Sequence, residues 1–254
     1  MNADKRAIAL TIAGSDPSGG AGVQADLKTF HQFGVYGEAV ITLVTVQNTA
    51  RVSRVEMMGE ELVLAQIDAV VEDIPPMAAK TGALGTPGMV RTVARAAAGF
   101  RFPLVVDPVM VSKHGAPLGG GAWEELLPYA ALVTPNLPEA EALTGTTDMR
   151  AAAERLVAMG AKAALIKGGH REGDALDVLF DGREFTEFPA PRIATRHTHG
   201  TGCTYSAAIT AGLARGLGLR EAVARAKRYI DAAIRTNPGL GSGCGPVNHF
   251  AEVE

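Results

Sequence analysis

One cysteine of the chain follows a glycine-rich turn, in the segment His199-Gly200-Thr201-Gly202-Cys203-Thr204. Small residues after it predict a helix over 204–217, so the N–H groups of the turn would converge on one point and bind an anion. The helix dipole, whose positive end lies at this turn, would stabilise a Cys203 thiolate and lower the thiol pKa. Cys203 could then act as a base toward a bound hydroxyl or as a nucleophile, and the alternative is a buried structural cysteine.

A second glycine-rich segment, AGSDPSGGAG, covers residues 13–22. It follows a predicted strand and leads into a predicted helix. Its glycines let the backbone approach a ligand closely, and the start of the helix offers unpaired N–H groups. The segment matches neither the Walker A pattern nor the G-x-G-x-x-G fingerprint. We interpret it as a ligand-binding loop, with an ordinary long loop as the alternative.

Acidic and amide side chains follow two further predicted strands. Asp107 ends the apolar run 104–107, while Asn136 and Glu139 follow the run 131–134. One interpretation is structural, because Asn136 could cap a helix with Glu139 in its first turn. The other is functional, because Asn136, Glu139 and Asp107 could hold a hydrated Mg²⁺ ion, which keeps most of its waters. The local sequence leaves both open.

Lysines follow other predicted strands, in Lys167-Gly168-Gly169-His170 and Lys80-Thr81-Gly82. Lys167 suits a phosphate oxygen, and the glycines allow a ligand to come close. His197 and His199 lie two residues apart, but no further residue stands at a zinc-site spacing, so zinc is not expected. So many glycine-bearing or acidic strand ends predict a ligand site at the carboxyl edge of a parallel sheet.

Short apolar runs alternate with longer amphipathic runs, which is typical of βα units around a mainly parallel sheet. Strands are predicted at 7–13, 39–46, 78–81, 104–107, 131–134 and 163–167. Helices are predicted at 22–33, 60–71, 89–98, 137–144, 149–159, 204–217 and 220–236. An Asp-Gly turn between 177–180 and 184–188 predicts an antiparallel hairpin. No linker or repeat is apparent, so one domain over residues 1–254 is expected.

Composition excludes several classes of protein. The chain has 254 residues, 47% of them hydrophobic, and a formal net charge of −3, which argues against nucleic acid and membrane partners. No uncharged apolar run reaches the ~18 residues of a membrane-spanning helix, and the run 7–13 lacks the features of a signal peptide. The two cysteines, Cys203 and Cys244, form no disulfide framework, which favours a reducing compartment and a cytoplasmic protein.

Six segments together resemble the hydroxymethylpyrimidine/phosphomethylpyrimidine kinases of thiamine biosynthesis, which belong to the ribokinase-like superfamily. The segments are ALTIAGSDPSGGAGVQADLKTF (9–30), VITLVTVQNT (40–49), DPVM (107–110), TPNLPEAEALTG (134–145), IKGGH (166–170) and THGTGCTYSAA (198–208). The resemblance covers almost the whole chain and implies a three-layer α/β/α sandwich with a mainly parallel central sheet. It also implies an ATP-dependent kinase that requires Mg²⁺.

The resemblance assigns the acceptor substrate to one group of residues. Gln47 would bond the ring of 4-amino-5-hydroxymethyl-2-methylpyrimidine, because an amide both donates and accepts. Asp26, the turn Gly14-Ser15 and Val109 would line the same pocket. The enzyme would phosphorylate this pyrimidine and then its monophosphate.

The resemblance assigns the phosphoryl groups to a second set. Cys203 would take the proton of the acceptor hydroxyl, and Gly200, Thr201 and Gly202 would form the anion hole for the transferring phosphoryl group. Glu139 and Asp107, with Asn136, would hold the Mg²⁺ shell. Lys167, Gly169 and Thr198 would contact ATP. The family is often dimeric, so a homodimer is expected.

One departure from the family pattern keeps a rival substrate open. Ala83 stands where the family usually carries a methionine against the pyrimidine, and related enzymes with the same Gly-Thr-Gly-Cys turn phosphorylate pyridoxal or pyridoxine. Two rivals belong to other classes. One is a thiol hydrolase or acyltransferase with Cys203 as nucleophile and His199 as base, and the other is a pyrimidine-binding protein without turnover.

Overall fold

The computed structural model describes residues 6–112, 115–169 and 175–253 of the chain. Nine strands form one sheet in the order β3-β2-β1-β4-β5-β6-β7-β8-β9. The strands are β1 (Ile8–Ser15), β2 (Tyr36–Gln47), β3 (Val52–Met57), β4 (Ala78–Thr81), β5 (Leu104–Val106), β6 (Leu132–Val133), β7 (Ala164–Ile166), β8 (Asp177–Phe180) and β9 (Phe185–Phe188). The run from β2 to β7 is parallel, while β3, β8 and β9 pair antiparallel at the two edges.

Helices cover both faces of the sheet. They are α1 (Gly22–Gln32), α2 (Glu60–Asp73), α3 (Pro87–Ala97), α4 (Trp123–Leu126), α5 (Leu137–Thr144), α6 (Met149–Ala158), α7 (Thr201–Ala214) and α8 (Leu219–Arg235), with a short 3₁₀ helix at Leu127–Tyr129. Helices α2 to α6 pack on one face, and α1, α7 and α8 on the other. No helix among the described residues is long and apolar enough to cross a membrane.

Alternation along the strands explains the two layers of helices. On β1, Ala9 packs with the α1, α7 and α8 side, whereas Leu10 and Ile12 pack with the α2 to α6 side. Successive side chains of a strand point to opposite faces, so strands that are apolar at every position carry helices on both. The predicted three-layer α/β/α sandwich with a mainly parallel sheet is therefore confirmed.

Most predicted elements are present with shifted ends, and one strand was not predicted. The predicted hairpin forms from β8 and β9. The helix expected from residue 204 begins three residues earlier, at Thr201. Strand β3 was missed because it is an edge strand whose polar residues are mostly exposed, so it lacks a clear apolar alternation. The single domain over residues 1–254 stays a prediction.

Candidate active site

A cavity of about 720 Å³ opens at the carboxyl edge of the parallel strands. Lys80, which the sequence placed at a strand end of the predicted site, is fully buried and does not line the cavity. Of the residues that the resemblance assigned to a site, all but Asp26 line it. The lining members of that set are Gly14, Ser15, Gln47, Asp107, Val109, Asn136, Glu139, Lys167, Gly169, Thr198, Gly200, Thr201, Gly202 and Cys203. Chain segments far apart in sequence thus meet here because the parallel strands all end at this edge.

The start of α7 forms one end of the cavity. Gly200, the N-cap residue of α7, has a φ of 76°, a left-handed conformation that glycine adopts without strain. A Cβ at Gly200 would collide with the carbonyl oxygen of Gly20, so the loop over 14–22 lies directly against this helix start. We call residues 14–22 the acceptor loop and residues 200–202 the anion hole, after the roles that the resemblance implies for them. The Thr201 N–H donates to Thr198 O at 3.3 Å. The start of a helix and its dipole nevertheless make this end suitable for a phosphate.

A buried carboxylate lies beside the anion hole. Asp107 is 1% exposed, and its Oδ1 accepts bonds from Lys167 Nζ at 2.9 Å and Thr134 Oγ1 at 3.2 Å. Its Oδ2 accepts from Ser206 Oγ of α7 at 3.2 Å. Burial raises the pKa of Asp107, but Lys167, Lys80 and the hydrogen bonds outweigh burial and lower it. Asp107 is therefore a fixed negative charge.

Gly202 leaves open the space in front of Lys167. A Cβ at Gly202 would lie 3.4 Å from Lys167 Nζ and 3.8 Å from Asp107 Oδ2. A phosphate oxygen that bonded both the helix start and Lys167 would occupy this space. Glycine at this position thus keeps the ammonium accessible from the cavity.

The thiol of Cys203 is not acidic. Burial raises its pKa to about 11, and the nearby charges of Asp26 and Asp107 add to the rise, against the opposite effect of Lys80. The sequence-based expectation of a lowered pKa is therefore wrong. The reason is that burial disfavours the Cys203 thiolate and the charges of Asp26 and Asp107 add to this effect, which Lys80 and one helix start do not offset.

Asp26 lies behind the wall of the cavity. It is fully buried, and its carboxylate accepts from Lys80 Nζ at 2.8 Å and Thr11 Oγ1 at 2.6 Å. Its predicted place in the lining of the substrate pocket is corrected on this point. Helix α1 directs Asp26 into the core, where it neutralises Lys80, and both charges act on Cys203 through the low-dielectric interior.

Asn136 caps helix α5. Its Oδ1 accepts from Glu139 N at 3.0 Å, and Glu139 Oε2 accepts from Asn136 N at 2.9 Å, which completes a capping box. The structural interpretation of this segment is confirmed. Burial and the charge of Asp107 raise the pKa of Glu139 to about 7, although Lys167 opposes the rise.

The residues fit a hydrated magnesium ion better than a directly chelated one. Asp107 and Glu139 face the same cavity and repel each other, which a cation between them would relieve. Their oxygens already accept bonds from Lys167, Asn136 and Met110. Within the described ranges, no group of three or more acidic, histidine or cysteine side chains could enclose a metal. Contact through bound water suits this set, because Mg²⁺ gives up its waters reluctantly.

The cavity also reaches β2, which is separated from β7 in the sheet by the four strands β1, β4, β5 and β6. Gln47, the last residue of β2, lines the cavity, as do the apolar side chains of Leu43, Ala83 and Val109. Ser15 is held in place, because its Oγ accepts from Gln24 Nε2 at 2.8 Å and its carbonyl oxygen accepts from Thr45 Oγ1 at 3.0 Å. A flat aromatic ring with one polar edge matches these surroundings.

A further ion pair, which the sequence did not indicate, also lines the cavity. Asp177 Oδ2 accepts from Lys227 Nζ at 2.8 Å, and its Oδ1 accepts from Gly168 N at 2.9 Å, next to Gly169. Asp177 was placed in a hairpin strand and Lys227 in a helix, where neither spacing nor neighbours distinguish them. His170 of the same predicted motif lies outside the described residues.

His199 was predicted as a base for a thiol nucleophile only under a rival function. Its Nε2 lies 2.7 Å from Asp16 Oδ2, and among the described residues no hydrogen bond joins His199 to Cys203. The bonds from His199 and Ser18 outweigh burial and lower the pKa of Asp16 well below its usual range. This pair joins the acceptor loop to the anion hole, and the sequence analysis did not assign Asp16.

Comparison with known proteins decides the family. The family model described as phosphomethylpyrimidine kinase matches residues 16–248. The chain belongs to this family. As a phosphomethylpyrimidine kinase family member, it is 48% identical over 256 residues to the hydroxymethylpyrimidine/phosphomethylpyrimidine kinase of Bacillus subtilis, covering 96% of this chain and 94% of that one.

Another relative of this phosphomethylpyrimidine kinase family member is a longer protein. It is 51% identical to the thiamine biosynthesis bifunctional protein ThiED of Geobacter sulfurreducens, which covers 98% of this chain but only 53% of that protein. The chain thus spans about half of that relative's length.

Two solved structures resemble the fold. The pyridoxal kinase of Bacillus subtilis in complex with ADP has a TM-score of 0.89 at 38% identity, over 97% of this chain and 98% of that one. The phosphomethylpyrimidine kinase of Clostridium difficile has a TM-score of 0.79 at 43% identity, over 90% and 100%.

Proposed function

We propose that the protein transfers the γ-phosphoryl group of ATP to 4-amino-5-hydroxymethyl-2-methylpyrimidine and then to its monophosphate, in thiamine biosynthesis. One observation carries the proposal: a single cavity is lined by residues 200–203 and Lys167, and also by Gln47, whose strand β2 is separated from β7 and Lys167 by the four strands β1, β4, β5 and β6 in the sheet. Phosphoryl transfer needs mainly in-line positioning and stabilisation of charge on oxygen, and this arrangement offers both.

At the phosphate end, the N–H groups of Gly200, Thr201 and Gly202 would bond the oxygens of the transferring group. Lys167 would neutralise the phosphate charge from the far side of Gly202, and Gly169 and Thr198 would line the path of the nucleotide. Asp107 holds Lys167 in place through its 2.9 Å ion pair. A preorganised site of this kind stabilises the transition state without reorganisation of its dipoles.

At the acceptor end, the Gln47 amide would bond the amino group and a ring nitrogen of the pyrimidine, with Val109 and the turn Gly14-Ser15 around the ring. The hydroxymethyl group would then point toward Cys203 and the anion hole. Asp26 would contribute through Lys80 rather than by contact.

Cys203 would accept the proton of the acceptor hydroxyl as the new P–O bond forms. Because its pKa is about 11, most of the thiol is protonated at neutral pH and only the thiolate fraction is active. Turnover limited by this step would rise about tenfold per pH unit below that pKa. This rising profile distinguishes a thiolate base from a proton that passes directly to a phosphate oxygen.

Mg²⁺ would be held through water by Asp107 and Glu139, next to Asn136. When bound with ATP, it would neutralise charge on the phosphates. The chain's own contribution is to keep the two carboxylates and Lys167 on one wall of the cavity. We further propose a cytoplasmic homodimer built from one kinase domain over residues 1–254, whose mass in solution light scattering would measure.

Release of ADP tests the function, with Mg²⁺-ATP and three acceptors offered in parallel: the hydroxymethylpyrimidine, its monophosphate and pyridoxal. We expect release with both pyrimidines and little with pyridoxal. Omission of Mg²⁺ should abolish release. ATP-independent ester cleavage, or tight pyrimidine binding without ADP release, would instead support the hydrolase or the non-catalytic rival.

A vitamin B6 kinase is the second candidate, since a pyridoxal kinase is among the solved structures similar to the fold and Ala83, which lines the cavity, is smaller than the methionine usual in the family. Strong ADP release with pyridoxal alone would favour it. The substitution Ala83→Met tests the same point, because a larger side chain beside the ring should reduce turnover of pyridoxal relative to that of the pyrimidine.

A further inference from the structure

Asp16 is the centre of the acceptor loop. It is 3% exposed, and its Oδ1 accepts from Ser18 N at 2.8 Å and Ser18 Oγ at 2.7 Å. Its Oδ2 accepts from Gly20 N at 3.2 Å and Ala21 N at 2.8 Å. One carboxylate thus fixes the shape of the loop, since each bond to a charged acceptor is stronger than a neutral one.

The same carboxylate also reaches across to the anion hole. Oδ2 lies 2.7 Å from Nε2 of His199, a residue 183 positions away in the chain. The ring of His199 also lies directly against the acceptor loop, because a Cβ at Gly20 would come within 2.5 Å of His199 Cδ2. His199 directly precedes the Gly200-Thr201-Gly202-Cys203 segment, so a shift of its ring would move the anion hole.

A third segment fixes the backbone of His199. Its N–H donates to Gly245 O at 3.0 Å, and its carbonyl oxygen accepts from Val247 N at 3.4 Å. The histidine therefore has a fixed backbone and a buried ring, 6% exposed for the whole residue, whose Nε2 bonds Asp16. The bond between Asp16 and His199 thus connects the acceptor loop to the residue that precedes the anion hole, and we call this bonded pair the clamp.

We propose that Asp16 and His199 are positioning residues, and that their bond sets the distance between the acceptor loop and the anion hole. The inference rests on the proposed kinase function. Phosphoryl transfer requires the acceptor hydroxyl in line with the γ-phosphate, and a misplacement of about 1 Å can cost ~10²-fold in rate. A loosened clamp would also admit water, which would take the phosphoryl group and release ADP and inorganic phosphate.

His199→Leu tests the clamp, with His249→Leu as the matched control. His249 is equally buried, at 7% exposed, and also contacts α7, through Thr204 Oγ1 at 3.1 Å, but the structure gives it no bond to the acceptor loop within the described residues. Each variant is assayed for kcat, for the KM of the acceptor and for the ratio of ADP formed to acceptor phosphorylated. His199→Gln serves as a rescue, because its amide N–H can replace Nε2–H.

For His199→Leu we expect kcat to fall ~10²-fold with a much smaller change in KM, and the ADP-to-product ratio to rise above one. His199→Gln should recover most of the coupling, and His249→Leu should keep the wild-type ratio. A ratio of one in His199→Leu, or an equal loss in His249→Leu, would overturn the clamp.

Backbone hydrogen exchange measures how firmly the clamp holds the acceptor loop when no acceptor substrate is present. His199→Leu should accelerate exchange in residues 14–22, whereas His249→Leu should not. The substitution Asp16→Asn breaks the same bond from the other side. The loss of kcat in the double variant Asp16→Asn/His199→Leu should be less than the two single losses combined, as for two partners of one interaction. Unchanged exchange in 14–22 would overturn the clamp, whereas a wild-type chain that phosphorylates no acceptor would overturn the proposed function and leave the exchange result standing.

Discussion

The two ends of the cavity are built in opposite ways. At the phosphate end, Asp107 has Lys167, Thr134 and Ser206 as bonded partners, drawn from three other segments of the chain. At the proposed acceptor end, the apolar side chains of Leu43, Ala83 and Val109 line the cavity, and Gln47 would bond a ring. One end is rigid through charge and hydrogen bonds, and the other is shaped by side-chain volume.

This difference separates chemistry from specificity. The geometry of the charged, bonded end does not depend on which acceptor is bound, so the same end could serve different hydroxyl acceptors once they are correctly placed. An apolar pocket distinguishes rings by size and by a few polar contacts, and a single side chain can change the preferred ring. The fold similarity to both a phosphomethylpyrimidine kinase and a pyridoxal kinase fits this division.

The largest effect is expected at Cys203, at the phosphate end. Cys203→Ala should reduce kcat by ~10²–10⁴-fold and leave ATP affinity nearly unchanged, because a general base acts only on the acceptor hydroxyl. Steady-state ADP release and calorimetric titration with a non-hydrolysable ATP analogue measure the two quantities. The wild-type rate should also rise from about pH 7 toward the pKa of about 11, and this rise should vanish in the variant. Wild-type turnover by Cys203→Ala would remove the base role.

The next effect is at the phosphate end alone. Gly202→Ala places a methyl group 3.4 Å from Lys167 Nζ, so kcat/KM for ATP should fall by ~10²-fold, as when one donor to the transition state is lost. Alanine is also the better helix former, so the variant should be more stable by up to ~1 kcal/mol. Thermal unfolding alongside kinetics separates the two effects. Gly99→Ala, whose Cβ meets the Ala96 carbonyl at an ordinary 3.5 Å, is the control that should keep full activity.

The same division explains what the sequence could predict. The glycine-rich helix start, the strand-end Asp107 and Lys167, and the cap at Asn136 are local patterns, and each is where the sequence indicated. The Asp16–His199 and Asp177–Lys227 pairs join segments 183 and 50 residues apart, and no local pattern marks such partners. The expectation of a lowered pKa for Cys203 was wrong for a related reason, since the burial and the charges of Asp26 and Asp107 that raise this pKa depend on segments far away in the chain.

A smaller effect is expected at the acceptor end. Gln47→Leu should raise the KM of the pyrimidine by ~10–100-fold, because the polar edge of the ring would lose its bonds on burial, and should leave the KM of ATP unchanged. ADP release as a function of each substrate measures both. An equal rise in both KM values would show that the two ends are not independent and would contradict the comparison.

The smallest effect on activity is expected at Glu38, on the same strand as Gln47 but far from the cavity edge. Glu38 is 7% exposed, and its carboxylate oxygens have no hydrogen-bond partner among the described residues. Burial and the charge of Asp73 raise its pKa to about 7 from 4.5. The folded state therefore holds the proton more tightly, so the stability from this group is present below about pH 4.5 and is lost as pH rises to about 7.

Glu38→Gln should thus stabilise the protein by about 1–3 kcal/mol at pH 8 and by little at pH 4.5, with kcat unchanged. Denaturant unfolding at the two pH values measures the difference, and Glu72→Gln, which changes the exposed residue before Asp73, is the control. If kcat rose or fell together with stability, the packing of β2 around Glu38 would affect catalysis. An unchanged kcat would mean that the rigid phosphate end sets the rate while β2 contributes only the wall on which the acceptor rests.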